Sequence, residues 1–178
     1  MSQTKEHIIQ PFSETAIWDL MKQIYDPEIP VISIVDLGIV RSVELTTVNN
    51  NTNPQVTITI TPTYSGCPAM DVINMNIRMK LLEHGYKNIV IKTNLSPAWT
   101  TDWMSNDGKE KLKAFGIAPP NPSQSVCTPV QFQEQEVVQC PHCNSYQTKL
   151  ISRFGSTACK ALYRCSECSE TFDYFKCH

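Results

Sequence analysis

Apolar residues recur at helical spacing from Ile17 through Leu20, Met21 and Ile24, just after Ser13, a good N-cap, and Glu14, a carboxylate for the first turn. This predicts an amphipathic helix. It stops in Asp26-Pro27-Glu28-Ile29-Pro30, because each proline excludes the helical conformation from the residue before it. From Ile39 the pattern alternates, with Ile39, Arg41, Val43 and Leu45 on one face. Val56, Ile58 and Ile60 then alternate with Thr57, Thr59 and Thr61. These are two paired strands, joined by an Asn-rich hairpin loop from Thr47 to Pro54. A loop through Thr61-Pro62-Thr63-Tyr64-Ser65-Gly66-Cys67-Pro68 feeds a second helix, with Met70, Ile73, Ile77 and Leu81 at helical spacing and Gly85 closing it. Lys87 to Thr93 alternates as a third strand, and Leu112 with Phe115 marks a last short helix ended by Gly116. The order defines an α+β fold, a two-layer α-β-β-α-β-α sandwich.

The pattern breaks after that. Residues 119–139 hold Pro119, Pro120, Pro122 and Pro129, no Lys or Arg, and no sustained apolar period. Such composition gives a semi-extended spacer, so the parts on either side should move partly independently. Cys127 lies inside it and has no evident role. The expected organisation is a domain over residues 1–118, a linker over 119–139 and a small C-terminal module over 140–178.

That last module carries paired cysteines. Cys140-Pro141-His142-Cys143 and Cys165-Ser166-Glu167-Cys168 are two C-x-x-C knuckles separated by 21 residues, which lets four sulfurs reach one ion in a tetrahedral shell. Strand-like stretches at Gln147–Ile151, Ala161–Arg164 and Thr171–Lys176 complete the arrangement of a β zinc ribbon. A segment this short cannot bury enough apolar surface to fold alone, whereas structural zinc contributes about 10–16 kcal/mol in comparable peptides. The ion should therefore act as its core. A rubredoxin-like iron site would use the same four thiolates, so zinc and iron both stay open. His142 could replace a cysteine, although four sulfurs make it unnecessary. Cys159 and the terminal Cys177-His178 exceed the four ligands: either Cys159 is a small core residue and the end is incidental, or these thiolates form a second, labile site.

Composition narrows the function. The 178 residues are 41% hydrophobic and carry a net charge of -2, enough for one sizeable core and no footprint for duplex DNA. Lys149, Arg153, Lys160, Arg164 and Lys176 face three acids in the ribbon, too slight an excess to track phosphates. No stretch approaches the ~20 apolar residues of a membrane span, and no apolar signal segment follows the first lysine. The expectation is a soluble cytoplasmic protein, with neither nucleic acid nor membrane as partner, whose eight cysteines are thiols or metal ligands rather than disulfides.

Cys67 is the other focus. Gly66 permits a sharp turn, Cys67 falls at the N-cap and Pro68 suits the first helical position, which aims the thiol at a helix N-terminus and should lower its pKa. The plainer alternative is a small buried residue in a tight loop. A thiol enzyme needs a base, yet outside the ribbon the histidines are His7, in the N-terminal tail, and His84, at the far end of the helix that Cys67 begins. A single soft ligand without such a neighbour favours capture of a metal or cluster over turnover. Asp26, Glu28, Asp36 and Thr61 either surround Cys67 or, in the case of the acids, cap a helix exit and a turn. Trp99 and Trp103 either close the core or offer a docking face.

Asp26-Pro27-Glu28, Ile34 to Val40 and Thr61 to Pro68 together resemble the SUF-associated iron-sulfur assembly family, over roughly residues 13–118. The resemblance implies that Cys67 is the reactive, functional cysteine. Ser96 to Trp103, Phe154-Gly155-Ser156-Thr157-Ala158-Cys159-Lys160-Ala161 and the ending Phe172 to His178 extend the likeness along nearly the whole chain, to the D-subunit family of the bacterial ring-1,2-phenylacetyl-CoA epoxidase. That likeness implies phenylacetate catabolism, with epoxidase protein subunits, hydroxylase or reductase, as partners. It also implies a non-catalytic accessory role in maturing a diiron or iron-sulfur centre, transient iron or an iron-sulfur cluster at Cys67, and a part for Cys159 and Cys177. A purely structural adaptor is the alternative, and homodimer formation stays open.

Overall fold

The computed structural model describes residues 12–46, 53–120 and 137–176. The tip of the expected hairpin loop, most of the expected linker with Cys127, the tail with His7, and Cys177-His178 lie outside them.

Helix α1 (Glu14–Met21) starts as its sequence dictates, with the Ser13 hydroxyl accepting the Ala16 N–H at 3.1 Å. It ends at Met21, earlier than the prolines require. Ile24 leaves the helix but stays buried in the turn that follows. Strands β1 (Val40–Thr46) and β2 (Gln55–Ile60) pair antiparallel, and β3 (Asn88–Thr93) pairs parallel to β2 after the crossover helix α2 (Ala69–Glu83). The sheet order is β1-β2-β3. Ile73, Ile77 and Leu81 of α2 and Ile17 and Met21 of α1 pack with Val56, Ile58 and Ile60 of β2 in one core, all fully buried. Helix α3 (Asn106–Ala114) is capped by Ser105, whose hydroxyl accepts the Gly108 N–H at 2.9 Å. Gly116, in the left-handed region at φ +89°, ends it.

Strict alternation expects Arg41 to share an inward face with Ile39 and Val43, and here the structure differs. A bulge between Val40 and Ser42 shifts the β1–β2 register, so Val40 and Val43 are buried while Arg41 is exposed. The extra residue turns a guanidinium out of an apolar core, where it lies 3.5 Å over the Trp103 ring.

A second sheet has the order β4-β7-β6-β5 and is formed by β4 (Ile117–Ala118), β5 (Thr148–Ser152), β6 (Lys160–Cys165) and β7 (Thr171–Phe175). The last three are the ribbon strands. The first belongs to the chain just after α3, and it pairs parallel with β7 through Ile117–Asp173 and Ala118–Tyr174. Phe175 at the end of β7 is buried in the first core, its ring 5.9 Å from that of Trp99 and edge-on to it. His142 rests against Gly116. Proline-rich composition predicts partly independent movement; backbone pairing and a shared core instead tie the ribbon to the sandwich.

Candidate metal centre and thiol site

The two knuckles have the same backbone form. Cys140 N–H donates to the Ser145 carbonyl and Cys165 N–H to the Glu170 carbonyl, both at 2.9 Å and both spanning five residues. Each loop turns through a left-handed residue four positions after its first cysteine, Asn144 at φ 60° and Ser169 at φ 63°. The turn wraps the loop around its sulfurs. Backbone N–H groups of Cys168 and Glu167 point at the Cys165 sulfur and pull its pKa down to about 7; at Cys168 the backbone hydrogen bond with Glu170 is outweighed by desolvation and then by hydrogen bonding with the other three sulfurs, which drive it up to about 12. Four thiols so placed cannot all ionise without a cation among them.

Geometry meets the same requirement. The four Sγ atoms all lie within 4.8 Å of one another, with Cys140–Cys168 at 3.8 Å and Cys143–Cys165 at 3.5 Å. A tetrahedral shell with metal–sulfur bonds of ~2.3 Å has edges of about 3.8 Å. The residues fit a closed four-thiolate metal site, and His142 is not among its ligands.

Cys67 is half-buried at the start of α2, where Gly66 turns the chain at φ +87°. The helix opens one residue later than its sequence predicts, with Pro68 as the N-cap, and the Cys67 sulfur accepts the Ala69 N–H and a hydrogen bond from Tyr64. Both favour thiolate. Burial outweighs them, and the nearby Glu28 and Asp26 carboxylates add to it, so the thiol is pushed up rather than down. The expectation of a depressed pKa counted the helix end and missed the desolvation and the acids.

Asp26 is buried and accepts the Glu28 and Ile29 N–H groups at 2.8 and 2.9 Å, so it shapes the Asp-Pro-Glu loop. Burial raises its pKa. Asp36 is turned towards α3, where it accepts Ser105 Oγ at 2.8 Å and Lys111 Nζ at 2.6 Å. Thr61 is buried after β2 and its N–H donates to the Ile39 carbonyl at 2.9 Å. Trp99 closes the core, 2% exposed, its indole N–H donating to the Leu37 carbonyl at 2.9 Å. Gly38 is required where it stands: at φ +70° a Cβ would run into the Trp103 carbonyl.

The ribbon adds what spacing alone did not show. Cys159 is buried in the core of the sandwich rather than in that of the ribbon, with its sulfur 4.0 Å from Glu28 Oε2 and 3.0 Å from Thr157 Oγ1. The signal available in sequence was a cysteine beyond the four ligands, within the Gly-Ser-Thr-Ala-Cys-Lys run.

The fold and the sites define a class: an iron-sulfur assembly domain carrying a C-terminal metal ribbon. Residues 14–85 match the family described as "Iron-sulfur cluster assembly protein", and residues 124–176 match "PaaD zinc beta ribbon domain". The chain is 47% identical over 169 residues to an Escherichia coli (strain K12) protein named as the putative D subunit of 1,2-phenylacetyl-CoA epoxidase, covering 95% of this chain and 96% of that one. It belongs to the D-subunit family of 1,2-phenylacetyl-CoA epoxidases. It is also 33% identical over 111 residues to the "Fe-S protein maturation auxiliary factor" of Porphyromonas gingivalis (strain ATCC BAA-308 / W83), over 62% of this chain and 91% of the relative. Among solved structures, a domain of unknown function from Bacillus anthracis matches with TM-score 0.47 and 28% identity, over 56% of this chain and 90% of that one.

Proposed function

We propose that this chain is an accessory component of a phenylacetyl-CoA epoxidase system that helps to mature the metal centre of a partner protein and does not itself epoxidise. Iron or an iron-sulfur unit is its cargo, held by Cys67, and zinc fills the ribbon as a structural ion. One observation carries this reading: Cys67 is a free, half-buried soft donor at the start of α2, within the electrostatic influence of Glu28 and Asp26, whose charges would help to balance that of a cation. The described histidines serve elsewhere. His84 caps the far end of α2 with Nδ1 2.8 Å from the Lys80 carbonyl oxygen, and His142 packs on Gly116. Neither is set as a base for Cys67. The relatives named for epoxidase and for iron-sulfur maturation support the same role.

The partners are epoxidase subunits, hydroxylase or reductase, in the cytoplasm, where reducing conditions keep eight cysteines available. Among the described residues, no helix is long and apolar enough to cross a membrane. A purely structural adaptor is the second reading. It is favoured by an exposed apolar stripe on α2, Val72, Met75, Met79 and Leu82, spaced as one helix face. The same stripe would serve a homodimer. The deciding experiment expresses the epoxidase subunits with wild type or Cys67→Ser and measures iron in the isolated partners. Maturation predicts iron-deficient partners with the variant, whereas full iron loading would leave the adaptor role.

A further inference from the structure

The second sheet ends at β5, and among the described residues no strand pairs with its outer side. The Ser166 N–H donates to the Gln147 carbonyl at 2.7 Å. In the antiparallel register Gln147 and Lys149 are therefore the residues bonded to β6, and the N–H and carbonyl of Leu150 turn to the open side. Val138 stands at the start of the strand, its carbonyl accepting Thr148 Oγ1 at 2.6 Å, so the edge is open, among the described residues, from Leu150 onward. Leu150, Ile151 and Phe154 along it are 41%, 52% and 66% exposed. A strand edge flanked by apolar side chains is a template for another chain.

The charge beside this edge has one sign. Between Val137 and Ser166 the sequence holds no Asp or Glu. Lys149 stands directly opposite Arg164 in the β5–β6 register, both exposed, and the next position in that row is the neutral Thr171. Like charges so paired repel, and among the described residues neither takes part in an ion pair. Alternation places both on the face of the sheet away from Tyr163 and Cys165, so they do not belong to the ribbon's core. An added strand bearing carboxylates would relieve the repulsion. A second copy of β5 would not, because two-fold antiparallel pairing about Ile151 sets Lys149 of one copy against Arg153 of the other.

We propose that the β5 edge takes up an extended segment of a partner protein as an added strand, one whose acidic residues alternate with apolar ones. The carboxylates, on one face of that segment, meet Lys149 and Arg164. Its backbone meets the Leu150 N–H and carbonyl, and its apolar face covers the Leu150 side chain. Two cations on one row suit a short acidic segment and are too few to follow a phosphate backbone. This goes beyond the maturation reading: it says how a partner is held, and it stands whether or not Cys67 carries iron.

The test uses the zinc-loaded, isotope-labelled full chain and a blocked peptide alternating glutamate with valine, beside a control peptide with lysine for glutamate. In nuclear magnetic resonance titrations the glutamate peptide binds saturably, shifts the amide signals from Leu150 to Phe154 and slows hydrogen exchange at the Leu150 amide, which exchanges fast in the free chain. Lys149→Glu combined with Arg164→Glu, both at exposed positions, keeps the metal content. It weakens the glutamate peptide at least ~5-fold, since each exposed ion pair is worth a factor of about 1.5–5, and it favours the lysine peptide instead. Cys67→Ser binds the glutamate peptide as wild type does, which separates this surface from the cargo thiol. Absence of saturable binding, equal binding of the two peptides by wild type, or a Leu150 amide unchanged by binding overturns the proposal. So does slow exchange of that amide in the free chain, which assigns the edge to a segment of this chain outside the described residues. A dimer that is lost in the double variant assigns it to a second copy, and tighter binding of a single-stranded oligonucleotide at the same residues assigns it to nucleic acid; either result overturns the proposal as well.

Discussion

Replacing Phe175 by Ala tests whether the ribbon is a fixed part of the molecule. The ring is 1% exposed, sits at the end of a ribbon strand, and packs edge-on to Trp99 in the sandwich core. Removing a buried phenyl costs about 3–5 kcal/mol, of which the aromatic pair supplies ~0.5–1.5 kcal/mol. With a urea dependence of about 1–3 kcal/mol per molar for a small protein, the unfolding midpoint falls by at least ~1 M. Tyr146, 60% exposed in the first knuckle, provides the control, since Tyr146→Ala should stay within about 0.5 kcal/mol of wild type. The four ligand cysteines are distinct from Phe175, so the ribbon metal content should not change. The assay is urea unfolding of the zinc-loaded full chain, followed by far-ultraviolet circular dichroism and by tryptophan fluorescence. Both signals should shift together. A loss below about 1 kcal/mol, or a shift in one signal alone, refutes the shared core.

Three further outcomes follow from particular residues. Gly38→Ala places a Cβ against the Trp103 carbonyl in a left-handed residue and should cost about 1–3 kcal/mol, read as a lower melting temperature; an unchanged melt would mean that the loop yields freely. Asp26→Ala leaves the Glu28 and Ile29 N–H groups unpartnered and should cost about 1–3 kcal/mol, whereas Asp26→Asn keeps an acceptor oxygen and should cost less; equal losses would show that the charge and not the hydrogen bonds matters. Burial pushes the Asp36 pKa up, but hydrogen bonds from Lys111, Ser105 and Ser33 outweigh it and hold it below the usual range. The stabilisation is therefore present above the unfolded value of about 3.9 and is lost as pH falls through the lower folded value. Asp36→Asn should be less stable at neutral pH with a shallower acid limb in urea unfolding, and parallel pH profiles would contradict this.

Much of the architecture was legible because it rests on short-range rules. Ser13 caps α1, Val56, Ile58 and Ile60 alternate into the core, and the C-x-x-C spacing brings four sulfurs together. What stayed hidden depends on partners distant in sequence. The bulge that expels Arg41 reflects the cost of burying a guanidinium opposite β2, which periodicity along one strand does not express. The pairing of Ile117–Ala118 with β7 depends on where the ribbon docks. Cys67 could be located but not titrated, because its pKa is set by burial and by acids some forty residues earlier, with a helix end in opposition. Cys159 reads in sequence as a spare ribbon cysteine; only the fold turns it towards Glu28.

The most direct measurement is the metal content and visible spectrum of the full chain, isolated without oxygen from cells making the epoxidase, for wild type beside Cys67→Ser. Zinc near one equivalent in both, with iron or iron-sulfur absorbance confined to wild type, is the outcome expected of a cargo thiol standing apart from a structural ion. Iron held equally by both proteins would contradict that assignment.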